Sequence, residues 1–225
     1  MLTVVRILDR VRLDTKTYRI IPSNFPPIAL FEKCADPSDL DFLFALESLT
    51  NDRIREEVGQ LHMVKPEDRL SGDGTSVIMA SFTHFGMPSR FTNGDYGVYY
   101  AGLSLEAAIG ETKYWQERQL LEMNPGIPFS RDMRVYAANL NDKVGDCIDL
   151  RANAEAHDPN DYSYSQHVGA QHRRNGEYGV LYQSVRVPGE LCVACFRPPI
   201  IKAPAVQSRH LKYSWDGRSI TVNEA

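Results

Sequence analysis

Tyr96-Gly97-Val98-Tyr99-Tyr100-Ala101-Gly102-Leu103-Ser104-Leu105-Glu106-Ala107-Ala108-Ile109-Gly110-Glu111 is the stretch on which the fold turns. Its first six residues, rich in aromatics, read as a strand. Ser104 stands where an N-cap belongs, ahead of a helical pattern that runs to about Glu122. The layout is strand, tight turn, helix. On a helical wheel Leu105, Ala108, Ile109, Thr112 and Trp115 share one stripe, and Glu111 lies on its flank beside the small Ala107 and Ala108, which leave room for a ligand. Side chains alternate along a strand, so Tyr99 and Tyr100 face opposite ways and at most one can enter a given pocket.

Working outward, Tyr18-Arg19-Ile20-Ile21 is a short strand stopped by Pro22 and then Pro26-Pro27. Asp36-Pro37-Ser38 opens a helical pattern through Leu40, Leu43, Phe44 and Leu46, and Ser76 to Phe82 is apolar enough for a buried strand. Further strands are expected at Met133–Leu140, Tyr178–Val185 and Leu191–Phe196, a helix at Ser163–Arg174, and a terminal hairpin turned by Asp216-Gly217. Helices and strands mix without regular βαβ alternation. The fold class expected is therefore α+β, with a twisted and largely antiparallel sheet.

A length of 225 residues suits one well-buried core, so residues 1–225 read as a single domain. Hydrophobic residues at 43% and charged residues at 24% exclude a disordered chain. No apolar run approaches the ~20 residues of a spanning helix, and the N-terminus lacks signal-peptide character, so the expected location is the cytoplasm, away from membranes. The 25 Lys and Arg against 29 Asp and Glu give a net charge of −4, which argues against direct nucleic-acid binding and requires any phosphate site to be local. Cys34, Cys147, Cys192 and Cys195 are too few for a disulfide scaffold and read as reduced core thiols. A lone Cys192-Val193-Ala194-Cys195, with His157, His167 and His172 off ligand spacing, gives no metal site.

Taken singly, the polar residues say little. Glu111 alone would be a solvated helix glutamate, Arg90 a surface arginine, and Ser184 an outward strand serine. Ser184 lacks the Gly-x-Ser-x-Gly turn of an acylating nucleophile, and without GxGxxG or GxxxxGK[ST] any dinucleotide would bind outside the Rossmann and P-loop manners.

As an ordered set the segments carry more. Tyr18-Arg19-Ile20-Ile21-Pro22, Leu49-Thr50-Asn51, Ala80-Ser81-Phe82-Thr83-His84, Ser89-Arg90-Phe91, Tyr100-Ala101, Glu111-Thr112, Tyr182-Gln183-Ser184-Val185-Arg186 and Cys195-Phe196-Arg197-Pro198 resemble the RES family over nearly the whole chain. Its members are the toxin halves of RES–Xre toxin–antitoxin pairs, and the likeness is to the longer, ParT-like type. The resemblance places the name-giving residues on Arg90, Glu111 and Ser184, adds Arg19 and Tyr100, and prefers Tyr100 to Tyr99 for the pocket. It departs at Trp115, where a His is expected. It implies a fold similar to ADP-ribosyltransferase toxins, a split sheet with flanking helices.

The same resemblance implies NAD+ as substrate and no metal. Arg19 and Arg90 would hold the diphosphate by paired charged hydrogen bonds, and Tyr100 would stack on the cationic nicotinamide. Glu111 would stabilise the oxocarbenium-like ribose formed as nicotinamide leaves, with Ser184 fixing the geometry. Water, inorganic phosphate or a cellular protein can each accept the ADP-ribosyl group. The implied partner is an Xre-type antitoxin that covers the cleft. A non-catalytic module, in which Arg90, Glu111 and Ser184 only order the fold, is the reading from another class.

Overall fold

The computed structural model describes residues 9–23, 59–123 and 127–225. Pro26-Pro27, Cys34, the helix expected from Asp36 through Leu46, and Leu49-Thr50-Asn51 lie outside them. In chain order the elements are β1 (Arg10–Val11), β2 (Lys16–Pro22), α1 (Ser76–Thr83), β3 (Tyr99–Gly102), α2 (Leu105–Met123), β4 (Phe129–Leu140) and β5 (Cys147–Asp149). Then follow α3 (Ser163–Arg174), β6 (Gly179–Gln183), β7 (Leu191–Cys195), β8 (Ile201–Trp215) and β9 (Ile220–Glu224).

These strands form a nine-stranded sheet in the order β1-β5-β6-β7-β3-β2-β4-β8-β9. Every pairing is antiparallel except β5 with β6. The α+β expectation therefore holds. The sheet is close to split, because β2 meets β3 at the single pair Tyr18↔Gly102, whereas β2 and β4 pair over all of Lys16–Pro22. Past that one position β2 and β3 diverge.

Helix α2 lies across this seam. Ala107 packs with Tyr182 and Ala194 on the β3 side, and Ala108 packs with Ile20, Met133 and Leu211 on the β2 side. Close approach requires Gly102, since a Cβ there would stand 2.6 Å from the Ala108 nitrogen. Ser104 caps the helix as read from sequence, accepting the Ala107 N–H at 3.0 Å. Of the predicted stripe, Leu105, Ala108 and Ile109 join the β2-side core and the Thr112 hydroxyl reaches Tyr213 Oη at 3.0 Å, while Trp115 turns to Tyr162.

One expectation is corrected. Ser76–Phe82 is the helix α1 rather than a strand. Six of its eight residues are buried, so the segment is apolar on nearly every side and its pattern cannot tell a helix from a central strand. The hydroxyls of Ser81 and Thr83 bond back to the carbonyls of Val77 and Met79, which relieves their burial. Smaller differences follow the same logic. The strand read at Tyr96–Ala101 starts only at Tyr99, because Gly97 is pressed against α1, where a Cβ would lie 2.4 Å from the Ser81 carbonyl oxygen. The Asp216-Gly217 turn joins β8 to β9 as expected, with Gly217 at φ 102°.

Candidate active site

Glu111 sits in the middle of α2, half-buried, over the loop that joins β6 to β7. Gly110 makes this possible, because a Cβ there would fall 2.2 Å from Val187 Cγ2 in that loop. Ser184, the first residue after β6, donates its Oγ–H to Glu111 Oε1 at 2.7 Å. The same oxygen accepts the N–H groups of Arg186 at 3.2 Å and Val187 at 3.0 Å. With both acceptor directions taken by backbone, the serine has one direction left for its proton, and it points at the carboxylate. Among the described residues only Glu111 Oε1, and not Oε2, receives a hydrogen bond. Beneath this pair, burial pushes the Cys192 thiol up to about 12, with the charge of Glu111 adding to the effect. That thiol is inert. Cys192 and Cys195 fall in different cores on opposite faces of the sheet, as a three-residue step along a strand requires, so the CxxC is not a chelating pair.

Arg90 is 4% exposed. Its Nη1 donates to the carbonyls of Ala156 at 3.1 Å and Asp158 at 2.9 Å, and its guanidinium stacks 4.5 Å from the Tyr162 ring centre. Its Nη2 is buried without a partner. Arg186 reaches the hydroxyl of the same tyrosine, donating Nη2 to Tyr162 Oη at 3.1 Å and to the Pro159 carbonyl at 2.6 Å. Trp115 packs 6.0 Å from Tyr162, so the residue found where a His was expected braces the ring on which Arg90 rests. Neither Arg90 nor Arg186 forms an ion pair with a carboxylate among the described residues. A buried guanidinium held by carbonyls and an aromatic face, as Arg90 is, can still donate to an anion.

Tyr100 links this cluster to a cavity. Its hydroxyl bonds Ser89 Oγ at 2.8 Å and accepts the Phe91 N–H at 2.9 Å, so it fixes the turn that carries Arg90. Burial pushes it up to about 12, partly offset by Ser89, and it stays a neutral phenol. Tyr99 points the other way and is fully buried in the core under α1. The cavity, about 830 Å³, fills the gap where β2 leaves β3. Tyr100, Ser89, Tyr96, Arg19, Arg134 and His84 stand in its wall, and no Asp or Glu does among the described residues.

Arg19 lies on the opposite face of β2 from Tyr18 and Ile20, with its guanidinium 5.1 Å over the Tyr99 ring. Its Nη1 donates to the Tyr100 carbonyl at 3.1 Å, supplying the donor that a longer β2–β3 ladder would have given, and its Nε is buried without a partner. Burial lowers its pKa, but an arginine remains charged. The structure thus gathers Arg90, Tyr100, Glu111 and Ser184 around the face covered by α2 and α3. Arg19 is set apart from Arg90, across the gap, on the cavity wall.

Sequence reasoning missed Tyr162, His157 and the role of Arg186. Arg186 lay within the quoted Tyr182-Gln183-Ser184-Val185-Arg186, a usable signal, whereas nothing local marks Tyr162. His157 is held at both ring nitrogens, Nδ1 by the Asn153 carbonyl at 2.7 Å and Nε2 by the Gln183 N–H at 3.0 Å. Burial, and then the nearby Arg90, hold it below the ordinary histidine range against the Asn153 bond, which raises it. Among the described residues no group of three His, Cys, Asp or Glu could hold a metal ion, and no helix is long and apolar enough to cross a membrane.

This architecture is shared. The uncharacterized protein y4oC of Sinorhizobium fredii is 26% identical over 96% of this chain and 89% of its own length. Among solved structures, the crystal structure of the Mycobacterium tuberculosis MbcT–MbcA toxin–antitoxin complex contains a similar fold, with a TM-score of 0.50 and 10% identity over 92% of this chain and 87% of that one. The model of the RES domain matches residues 66–216, a span that takes in Arg90, Tyr100, Glu111 and Ser184 and begins after Arg19. With more than half of its length matched, this chain belongs to the RES domain family.

Proposed function

We propose that this chain is the toxin of a toxin–antitoxin pair, and that it binds NAD+ and breaks its nicotinamide–ribose bond, depleting the cofactor. The observation that carries the reading is the Ser184–Glu111 pair, a carboxylate fixed by a hydroxyl that is itself fixed by two backbone N–H groups. A carboxylate in this setting stabilises positive charge developing at a fixed point better than it stabilises the ground state.

As the C1′–N bond breaks, its electron pair leaves with nicotinamide and the ribose becomes an oxocarbenium-like cation. Glu111 Oε2, without a hydrogen bond among the described residues, is the atom to face it. Water then adds and loses a proton, giving ADP-ribose. The cavity beside Tyr100, with Arg19 in its wall and no carboxylate among its described lining residues, suits the diphosphate, and Arg90 adds a buried cation through its unpartnered Nη2. Tyr100 has its hydroxyl occupied, which leaves its ring for stacking against nicotinamide.

The partner in this reading is an Xre-type antitoxin whose acidic or carboxylate-ended segment covers the cationic cleft. The toxin–antitoxin complex that shares the fold supports an antitoxin partner. The test is incubation of folded, antitoxin-free protein with NAD+, with and without phosphate and a cell lysate, followed by mass analysis. Nicotinamide and ADP-ribose are the expected products. An adduct of ADP-ribose on a lysate protein with little loss of NAD+ would make the chain a mono-ADP-ribosyltransferase instead. Unchanged NAD+ would leave a non-catalytic module.

A further inference from the structure

His157 closes the 3-10 turn Ala154–His157, and both of its neighbours in sequence hold Arg90, through the Ala156 and Asp158 carbonyls. Its own ring reaches the other half of the site. A backbone N–H can only donate, so Nε2 must accept from Gln183, and the ring proton is therefore on Nδ1, donated to the Asn153 carbonyl. Gln183 is the residue before Ser184, and its side-chain Nε2 is tied to the same segment through the Arg151 carbonyl at 2.9 Å. On the far side of Ser184, Arg186 donates to the Pro159 carbonyl. The segment 151–159 therefore grips the chain before and after Ser184 while it clamps Arg90.

We infer that His157 is a positioning residue, which in its neutral Nδ1–H form fixes the placement of the Ser184–Glu111 pair relative to Arg90. It touches neither carboxylate nor guanidinium and acts through the Gln183 N–H on one side and its own backbone neighbours on the other. A merely structural histidine in a turn would need only one of these bonds. This one locks its ring to its own turn through Nδ1 and joins that turn to the strand leading to Ser184 through Nε2, with its ring 6.5 Å from that of Tyr182 in the same strand.

The inference rests on the proposed NAD+ cleavage for its effect on rate, but not for its geometry, and the experiment separates the two. His157→Phe keeps a ring of similar size and removes both hydrogen bonds, and His157→Gln restores one donor and one acceptor. In the folded Phe variant, kcat for nicotinamide release is expected to fall about tenfold or more with KM for NAD+ within about twofold, since small displacements at a reacting centre act on rate. The Gln variant should recover most of that loss. Hydrogen exchange at the Gln183 amide should accelerate in the Phe variant and not in the Gln variant. A kcat within about twofold of wild type in His157→Phe, or an equal loss in both variants, overturns the inference. If wild-type protein releases no nicotinamide, the enzyme reading falls, and amide exchange alone decides the brace. Should the Phe variant fail to fold, imidazole nitrogen shifts of the wild-type protein decide it, with an Nδ1–H ring supporting the brace and an Nε2–H ring ruling it out.

Discussion

The polar cluster around Glu111 and the cavity in the β2–β3 gap are neighbours joined by Tyr100, yet they are built on opposite plans. In the cluster Arg90 and Ser184 are held by backbone groups of two short loops, and Ser184 in turn holds Glu111. The cavity has volume, cations and hydroxyls, and no acid among its described lining residues. A cluster of this kind holds geometry, because a low-dielectric setting rewards complete hydrogen bonding and penalises every gap. A cavity of the other kind favours an anionic occupant, because arginines and hydroxyls line it and no acid stands among its described lining residues. The family match covers the cluster but begins after Arg19. Chemistry belongs to the cluster in this reading, and affinity to the cavity.

The sharpest way to break that division is Glu111→Gln. It should lower kcat by about 10²- to 10³-fold with KM for NAD+ nearly unchanged, as expected for charge stabilisation confined to the transition state. Steady-state nicotinamide release checks it, and a rise in KM of similar size would move Glu111 to the binding side. Arg19→Ala is the converse. Loss of a charged hydrogen-bond donor worth about 1.5–3 kcal/mol should weaken NAD+ binding roughly 10- to 100-fold with kcat kept, measured by calorimetry and kinetics together. An unchanged affinity would remove the cavity from the site.

Tyr100→Phe probes the joint between the regions. The Phe91 N–H would lose its acceptor and Ser89 its partner, so the protein should lose about 1–2 kcal/mol in denaturant unfolding. The smallest effect is one of pH. His157 is held below the ordinary histidine value of 6.5, so the native state binds its proton less readily than the unfolded one. Its contribution to stability is complete above about pH 6.5, and is lost as pH falls through the lower folded value. Denaturant midpoints at pH 7.5 and 5.5 should show that decline in wild type and a shallower one in His157→Gln.

Legibility followed sequence distance. The α2 helix, its Ser104 cap, the Leu105-Ala108-Ile109-Thr112 stripe, helix Ser163–Arg174 and the Asp216-Gly217 hairpin were all readable, since each depends on residues a few positions apart. Helix α1 was misread because burial on nearly all sides erases the period that separates helix from strand. Of the candidate site, Glu111 and Ser184 were named from an ordered resemblance, and their contact at 2.7 Å spans 73 residues of chain.

By itself the sequence determined which local elements form and which residue types were candidates for the chemistry, because propensity, capping and periodicity act over short stretches. Only the tertiary structure decided who meets whom. It gave Arg90 the tyrosine that precedes α3 and two carbonyls from the turn before it, put Trp115 beside that tyrosine, and parted Arg19 from Arg90 across a gap opened by the single β2–β3 pair. Each of those contacts depends on strand register and on where a helix crosses a seam, and those are set by packing of the whole core rather than by any local run of residues.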